Sequence, residues 1–241
     1  MTLIADRFTA SARGYDEAAR IQPLVAARLA ARLPIKASRV LEIGCGTGGL
    51  STHLVRLFPD AEMILSDISP AMLELCRQAV GDRPSYRLID AENLPSDLGC
   101  FDLIVSSLAL QWVRDLQATL QSFIDLLNPG GCLAFAVLGE KNFKEWAALL
   151  SQCNAPSGLH HYPSAEAFCW PASYHGRIEE EFIPERHESG AAFLKALKKI
   201  GANTPKSGHQ PVSSSVMKQV LKASASGLTV SYHVLYGQLT R

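Results

Sequence analysis

A glycine-rich turn at Glu42–Gly49 is the stretch whose residue types point most directly to chemistry. Its sequence is EIGCGTGG, and Gly44, Gly46 and Gly49 satisfy the pattern GxGxxG. Glycines at such a turn let the backbone fold sharply from a strand into a helix and let a ligand approach the main chain closely. Taken alone, the turn fits either an ordinary loop or a binding site for a dinucleotide or another nucleoside-containing ligand.

Acidic residues at three predicted strand ends narrow the ligand chemistry. Asp67 ends the second strand, where an acid holds ribose hydroxyl groups in either class of ligand. Glu42 lies immediately before the glycine turn, where a pyrophosphate gains nothing from a negative charge. Asp90 ends the third strand, at the level expected for an adenine. The three acids favour S-adenosylmethionine, which carries an ammonium and a sulfonium group and no phosphate.

Strands that alternate with helices must position these residues. The predicted strands of the first part are Arg39–Ile43, Ala61–Leu65, Tyr86–Ile89, Phe101–Val105 and Cys132–Leu138, preceded by a helix over 15–33. This alternation predicts an α/β fold, a parallel sheet with helices on both faces. Beyond Gly139 the pattern predicts a helix and a Pro/His-rich connection over 140–175. It then predicts two strands, Ile178–Ile183 and Leu228–Leu239. Between these strands we expect a basic helix over 193–200 and a loop over 201–215.

Sequence motifs identify two levels of family resemblance. EIGCGTG, the strand end at Asp67, DAENLP at 90–95 and FDLIVSS at 101–107 resemble the class I S-adenosylmethionine-dependent methyltransferases. Four further segments resemble the malonyl-[acyl-carrier protein] O-methyltransferases of biotin biosynthesis. They are FxxxAxxYDxxAxxQ at 8–22, SSLALQW at 106–112, FLKALKKIGAN at 193–203 and LTVSYHVLYG at 228–237.

The resemblance implies a Rossmann-like, mostly parallel seven-stranded sheet with a helical lid, in a single domain spanning 1–241. Residues 1–34 would form the N-terminal lid segment, 35–138 the donor-binding core, and 139–241 the lid insertions and a C-terminal strand pair. It also implies a set of donor-binding residues: Gln22, Glu42, Gly44, Cys45, Gly46, Gly48, Asp67, Ile68, Met72, Asp90, Ala91, Glu92, Ser107 and Leu108.

The implied acceptor is the free carboxylate of a malonyl thioester on an acyl carrier protein. A carboxylate is ionised at neutral pH, so methyl transfer to it requires no general base. Tyr15 and Trp112 are the candidate catalytic residues, as pocket walls near the transferred methyl, although core packing explains Trp112 equally well. The residues do not indicate which cation meets the carboxylate, since Arg7, Arg13, Arg20 and Arg177 are all available.

Charge is segregated along the chain although the net charge is zero. Residues 186–241 carry a net +7 and the first 185 residues a net −7. Lys195, Lys198 and Lys199 fall on or near one predicted helix, either as an ordinary solvated face or as a docking surface for an acidic carrier protein. The balanced total gives no argument for nucleic acid or a membrane as a partner.

The remaining features predict no further cofactor. Six cysteines show no CxxC pair and are interpreted as free thiols. His160, His161 and His175 lack the accompanying ligands of a metal site, so no metal is expected. The sequence shows neither a leader nor a long apolar run, and a cytoplasmic monomer is predicted.

Three other functions stay open on sequence grounds. A methyltransferase for a free small carboxylic acid would use the same core without needing the basic region. A regulator that binds S-adenosylmethionine without turnover would show an eroded donor loop, whereas Gly44–Gly48, Asp67 and Asp90 are all present. An oxidoreductase remains compatible with the glycines alone.

Overall fold

The structure, a computed structural model, describes residues 19–202 and 211–241. Its strands are β1 Arg39–Ile43, β2 Glu62–Asp67, β3 Ser85–Leu88, β4 Phe101–Ser107, β5 Leu127–Leu138, β6 His175–His187 and β7 Leu228–Thr240. Its α-helices are α1 Ile21–Ala30, α2 Ser51–Leu57, α3 Pro70–Val80, α4 Leu116–Asp125, α5 Lys144–Gln152, α6 Gly190–Lys199 and α7 Ser214–Ala223. Short 3-10 turns occur at Leu110–Trp112 and Ala165–Ala167.

The seven strands form one sheet in the order β3-β2-β1-β4-β5-β7-β6. The first five strands are parallel, and β7 runs antiparallel to both β5 and β6. All five parallel strands therefore end at one edge of the sheet, called here the carboxyl edge. Strand order reverses direction between β1 and β4, and this switch point opens a crevice in which α/β proteins bind ligands.

Apolar side chains fill both faces of the sheet because a parallel sheet is covered on both sides. Successive β1 residues alternate between the two cores, with Val40 in one and Leu41 in the other. One core takes side chains from every α-helix except α4, and the other is covered by α4 and the aromatic residues that follow Ala165. The sheet is thus a rigid base for the loops at its carboxyl edge.

Helix α1 lies along the edge strand β6 through three arginine–glutamate pairs. Arg32 Nε lies 3.0 Å from Glu179 Oε2, Arg28 binds Glu181, and Arg20 Nε is 4.0 Å from Glu185 Oε1. The helix runs antiparallel to the strand, so its N-terminus points toward the carboxyl edge. The opposite face of α1 buries Val25 and Leu29 in the core.

The fold predicted from the sequence is confirmed. In the first half, the described part of the helix predicted over 15–33 spans Ile21–Ala30, and the strand predicted at Ala61–Leu65 is Glu62–Asp67; the larger differences concern the second half of the chain. The helix α7 was not predicted, and β6 runs from His175 to His187 instead of 178–183. Strand β5 begins at Leu127 instead of the predicted Cys132, and its added first residues lie next to a register shift between Phe101 and Leu103. Among the described residues, no helix is long and apolar enough to span a membrane.

Candidate functional site

The glycine turn leaves β1 at the switch point and lies against the loop that follows β4. Gly44, Gly46 and Gly48 all have positive φ values, 73°, 53° and 94°. A Cβ on Gly44 would overlap the Ala109 side chain, so the two loops touch across the crevice at a glycine. A Cβ on Gly46 would meet nothing within 4 Å. Glycine at 46 is therefore required by its backbone angle, and its outer side faces open space.

Asp67 joins the end of β2 to the glycine turn. Its Oδ2 accepts a hydrogen bond from Gly46 N at 2.9 Å, and its Oδ1 accepts one from Ser69 N at 2.8 Å. Burial raises the pKa of Asp67, while these backbone hydrogen bonds oppose the rise. The carboxylate therefore holds the turn and the start of α3 together at the position predicted for ribose binding.

Glu42 is buried beneath the turn and is neutral over much of the physiological range. Only 1% of its surface is exposed, and burial raises its pKa to about 8. Ser51 Oγ donates to Glu42 Oε2 at 2.5 Å, and Cys76 Sγ donates in turn to Ser51 Oγ at 3.3 Å. The sequence suggests a charged Glu42, whereas burial favours its protonated form near neutral pH, and a cation close to the carboxyl group would favour the ionised form.

The segment after β3 forms the neighbouring wall of the crevice. Asp90 Oδ1 accepts from Glu92 N and its Oδ2 from Asn93 Nδ2, both at 3.0 Å. Glu92 also binds Arg114, accepting from its backbone N at 3.0 Å. This contact ties the loop after β3 to the loop after β4, and Asp90, Ala91 and Glu92 all remain half-buried.

The loop after β4 carries an unpaired buried acceptor. Leu108 has a left-handed φ of 50°, and its carbonyl accepts from Gln111 Nε2 at 2.7 Å. The other amide atom, Gln111 Oε1, is buried and has no hydrogen-bond partner in the described part of the chain. An acceptor left unpaired in the loop whose Ala109 meets the glycine turn suits a cationic ligand, since burying such an atom without a partner is costly. The sequence analysis did not single out Gln111.

Trp112 lies on the 3-10 turn that continues this loop, half-buried rather than in the core. The His160 ring meets it edge to face, with ring centroids 5.5 Å apart, and Tyr162 lies 6.2 Å beyond His160. Burial raises the pKa of Tyr162 to about 12. His160 was considered from its sequence only as a metal ligand, and its contact with Trp112 was not predicted because the two residues lie on loops 48 positions apart.

The other predicted site residues occupy three places. Ser107 ends β4, and Ile68 and Met72 flank the cap of α3, where Met72 N donates to Ser69 Oγ at 3.4 Å. Gln22 is half-buried in the first turn of α1, near the carboxyl edge. Tyr15, Arg7 and Arg13 lie outside the described residues.

The cysteines and the three predicted lysines differ in their burial. All six cysteines are free. Cys45, Cys76 and Cys132 are buried, Cys153 is half-buried, and Cys100 and Cys169 are exposed. Cys45 Sγ donates a hydrogen bond to the Gly46 carbonyl at 3.8 Å within the glycine turn. In the ranges 19–202 and 211–241, no group of three or more His, Cys, Asp or Glu side chains could hold a metal ion. The three predicted lysines are exposed on α6, whose opposite face buries Phe193 and Leu197.

Comparisons with known sequences agree on one kind of protein. A family model described as a methyltransferase domain matches residues 40–131. A malonyl-[acyl-carrier protein] O-methyltransferase from Magnetococcus marinus is 43% identical to this chain, covering 95% of the chain and 89% of the relative. A biotin biosynthesis bifunctional protein from Bordetella avium is 40% identical over 98% of the chain, which corresponds to 51% of that longer protein.

Comparisons with solved structures agree on the fold. The YcgJ protein from Bacillus subtilis superposes with a TM-score of 0.63, covering 90% of this chain and 98% of that one at 16% identity. The N-methyltransferase NodS from Bradyrhizobium japonicum, solved with S-adenosyl-L-homocysteine, superposes with a TM-score of 0.51, covering 92% and 86% at 16% identity. At this identity the likeness concerns the architecture alone.

Proposed function

The chain belongs to the malonyl-[acyl-carrier protein] O-methyltransferase family, and on this basis we propose the reaction that it catalyses. The methyl group of S-adenosylmethionine is transferred to the free carboxylate of a malonyl thioester carried by an acyl carrier protein. The product is the methyl ester that serves biotin biosynthesis. The observation that carries the proposal is the crevice at the switch point, where an open glycine turn lies beside a buried acid and an unpaired amide oxygen.

The residues of the crevice fit the donor in two halves. Asp67 and the segment Asp90–Glu92 would hold the ribose and adenine at the β2 and β3 side of the crevice. The glycine turn, the loop after β4 and Gln22 would hold the methionine half at the β4 side. Gln111 Oε1 and Glu42 supply the acceptor and the ionisable acid that a cationic ligand stabilises. The bound donor supplies a methyl group activated by its sulfonium sulfur.

The chain then has to place the acceptor, not to activate it. A carboxylate oxygen of the malonyl group forms the new O–C bond as the C–S bond breaks, leaving the methyl ester and S-adenosylhomocysteine, and no proton is transferred. Alignment of the reacting atoms is the main contribution required, worth up to about 7–11 kcal/mol. Trp112, with Tyr15 from outside the described residues, would wall the acceptor side and exclude water. Residues 1–34 and the insertions after β5 would form the lid of a single domain.

A basic face on α6 and α7 is the proposed docking surface for the carrier protein. This basic face consists of the exposed lysines Lys195, Lys198, Lys199, Lys218 and Lys222. The two helices are joined by a hydrogen bond from Gly190 N to Ser224 O at 3.3 Å. No acidic residue occurs in 189–241, so within its own segment the positive charge is not neutralised. Complementary charge of this kind steers association and sets the orientation of docking.

Methyl transfer from labelled S-adenosylmethionine to two thioesters tests the proposal. Malonyl carrier protein and malonyl-coenzyme A are offered separately at matched concentrations, with acetyl carrier protein, which lacks a free carboxylate, as the control. Transfer that prefers the carrier-bound malonyl group is the expected result. A protein that binds the donor and methylates neither malonyl thioester would contradict the proposed reaction. The monomeric state and the cytoplasmic location expected from the sequence stay predictions.

A further inference from the structure

The end of strand β5 lies on the acceptor side of the crevice in the proposed function, and the inference below rests on that function. Asp67 and Asp90 would hold the adenosine half of the donor at the ends of β2 and β3. The transferred methyl group would then face the ends of β4 and β5, because these strands lie on the other side of the switch point. Arg177, a cation considered from the sequence, lies near the opposite edge, where it pairs with Gln238. Side chains that follow β5 are therefore candidates for contact with the malonyl group.

The turn at residues 139–142, called here the β5 turn, rises above the carboxyl edge beside β4. The pairing of β4 with β5 ends where Leu108 N donates to Ala136 O at 2.8 Å, and β5 continues for two more residues. The strand thus extends roughly 7 Å past this pairing, at about 3.3 Å per residue. Glu140 N, in the β5 turn, donates to the Pro163 carbonyl at 2.9 Å, which fixes the turn against the chain segment that also contacts the loop after β4.

Asn142, at the end of the β5 turn, is held in one orientation. Its backbone N donates to Gly139 O at 3.0 Å, and its side-chain Oδ1 accepts from His233 N at 3.3 Å. Because a backbone N–H can only donate, Oδ1 is the amide atom that faces His233, and Nδ2 is directed elsewhere. Phe143 N then donates to Ser231 O at 2.8 Å, so the Asn142 side chain continues the pairing of this chain with β7.

The His233 ring holds the β5 turn in this position. Lys141 N donates to His233 Nδ1 at 3.1 Å, so a ring proton lies on Nε2, which is 2.7 Å from Glu180 Oε2. A Cβ at Gly139 would overlap the ring, so glycine is required there. The amide group of Asn142 is therefore positioned before any ligand binds.

Asn142 Nδ2 is a buried hydrogen-bond donor without a partner. Only 4% of the residue's surface is exposed, and no described residue accepts a hydrogen bond from Nδ2. Burying such a donor unpaired is costly. The loop after β4 carries the opposite case, the unpaired acceptor Gln111 Oε1, and the other unpaired buried side-chain atoms of the described residues lie on β6 and β7, farther from the switch point. Neighbouring strand ends thus offer one acceptor and one donor, which suit a cationic methyl donor and an anionic methyl acceptor.

We propose that Asn142 Nδ2 binds the carboxylate of the malonyl group. It donates a hydrogen bond to the carboxylate oxygen that does not attack, and the second oxygen is left directed at the methyl group. The O–C bond forms as the C–S bond breaks, and the amide keeps both its protons. A carboxylate that leaves water for a covered crevice needs such a donor, because a buried charge without a hydrogen bond is strongly disfavoured. Asn142 thus contributes to recognition of a free carboxylate rather than to donor binding or carrier docking.

Two substitutions at Asn142 and one at a neighbouring strand residue test the assignment. Asn142→Asp keeps the acceptor for His233 N and replaces the donor by an oxygen atom, whereas Asn142→Ala removes both atoms. The loss that the two variants share is that of the Nδ2 donor. Ser231→Ala is the matched control, because it removes the hydrogen bond from Ser231 Oγ to Glu145 Oε1 beside the β5 turn and leaves the amide in place. Thermal unfolding checks that each variant folds.

The expected result is selective for the carboxylate. The measured quantities are kcat/KM for malonyl carrier protein, the inhibition constant of acetyl carrier protein, which lacks only the carboxylate, and the dissociation constant of S-adenosylmethionine. Both Asn142 variants should lower kcat/KM roughly 10- to 100-fold, the range for loss of a hydrogen bond to a charged group. The other two constants should stay as in wild type, and Ser231→Ala should behave as wild type in all three.

Three outcomes would overturn the assignment of Asn142 while leaving the proposed function in place. An unchanged kcat/KM in either folded Asn142 variant would mean that Nδ2 binds no more than a water molecule. Equal losses for malonyl and acetyl carrier protein would mean that the amide acts on the thioester or on the fold of the turn. Weakened binding of S-adenosylmethionine alone would assign the amide to the donor. A wild-type protein that methylates no malonyl thioester would instead overturn the proposed function and this inference together.

Discussion

Replacing Glu42 by glutamine tests whether the acid beneath the glycine turn is neutral in the unliganded protein. Its pKa is raised by burial from an ordinary value of 4.5 to about 8. Below the lower value both the folded and the unfolded chain are protonated at this group. Between the two values only the unfolded chain ionises, so stability falls as the pH rises, and above the upper value the loss is complete. The full interval corresponds to about 5 kcal/mol.

The Glu42→Gln variant should not lose this stability. Its free energy of unfolding relative to wild type is measured by urea titration without donor, at about pH 5 and about pH 9, the two ends of the window. The variant should gain several kcal/mol relative to wild type between these conditions, because the neighbouring groups Ser51, Cys76 and Asp67 are common to both proteins. A difference between the two proteins that does not change with pH would refute the reasoning.

Donor binding gives an independent measurement of the same group. A cation bound near Glu42 favours the ionised form and lowers its pKa, so binding near neutral pH should release a proton. Affinity of the wild type for S-adenosylmethionine should therefore weaken as the pH falls below about 8, by up to tenfold per pH unit. Calorimetry in two buffers with different ionisation enthalpies reports the proton directly. Equal proton release by wild type and Glu42→Gln would contradict this account.

Three further predictions concern the docking surface and the glycine turn. Changing the three lysines of α6 to glutamine should raise the KM for malonyl carrier protein about tenfold and leave that for malonyl-coenzyme A within about twofold, and equal effects on both would contradict a docking role. Gly44→Ala should abolish measurable donor binding in calorimetry, because the new Cβ would overlap the Ala109 side chain. Adding Ala109→Gly should restore part of the donor affinity. Wild-type affinity in the Gly44→Ala protein would show that the turn accommodates a side chain. Asp67→Asn should lower the free energy of unfolding by about 1–3 kcal/mol in urea titrations, because either Gly46 N or Ser69 N loses its carboxylate acceptor. An unchanged free energy of unfolding would argue against a stabilising role for these two hydrogen bonds.

The first half of the fold could be predicted because its signals are local. Strand β1 is predicted and found at the same residues, since a short apolar run ending at a glycine cluster admits few other structures. The acids Glu42, Asp67 and Asp90 could be placed at strand ends because the same local signal shows where each strand ends. The central strands β1, β2 and β4 are buried on both faces, so their sequences are mostly apolar runs, whereas the edge strand β3 has no buried residue.

The second half was harder because its contacts are long-range. Strand β6 carries partly buried glutamates that pair with α1, and their charge hid the ends of the strand when only apolar periodicity was considered. Helix α7 begins with serines and buries only Val220, so little in its sequence distinguishes it from the preceding loop. The contact of His160 with Trp112 depends on where an irregular connection crosses the sheet, which no local pattern encodes.

The spacing of the three arginines along α1 matches the spacing of their partner glutamates along β6. From Arg20 to Arg32 the helix advances roughly 18 Å, at about 1.5 Å per residue. From Glu185 to Glu179 the strand covers roughly 20 Å, at about 3.3 Å per residue. Helix and strand therefore agree over the whole span, and a slide by one helical turn, which matches about two strand residues, would leave two of the three arginines without a glutamate. Each pair contributes little to stability by itself, yet together they define the axial position of α1, and with it the position of Gln22, the residue of α1 that is proposed to contact the donor.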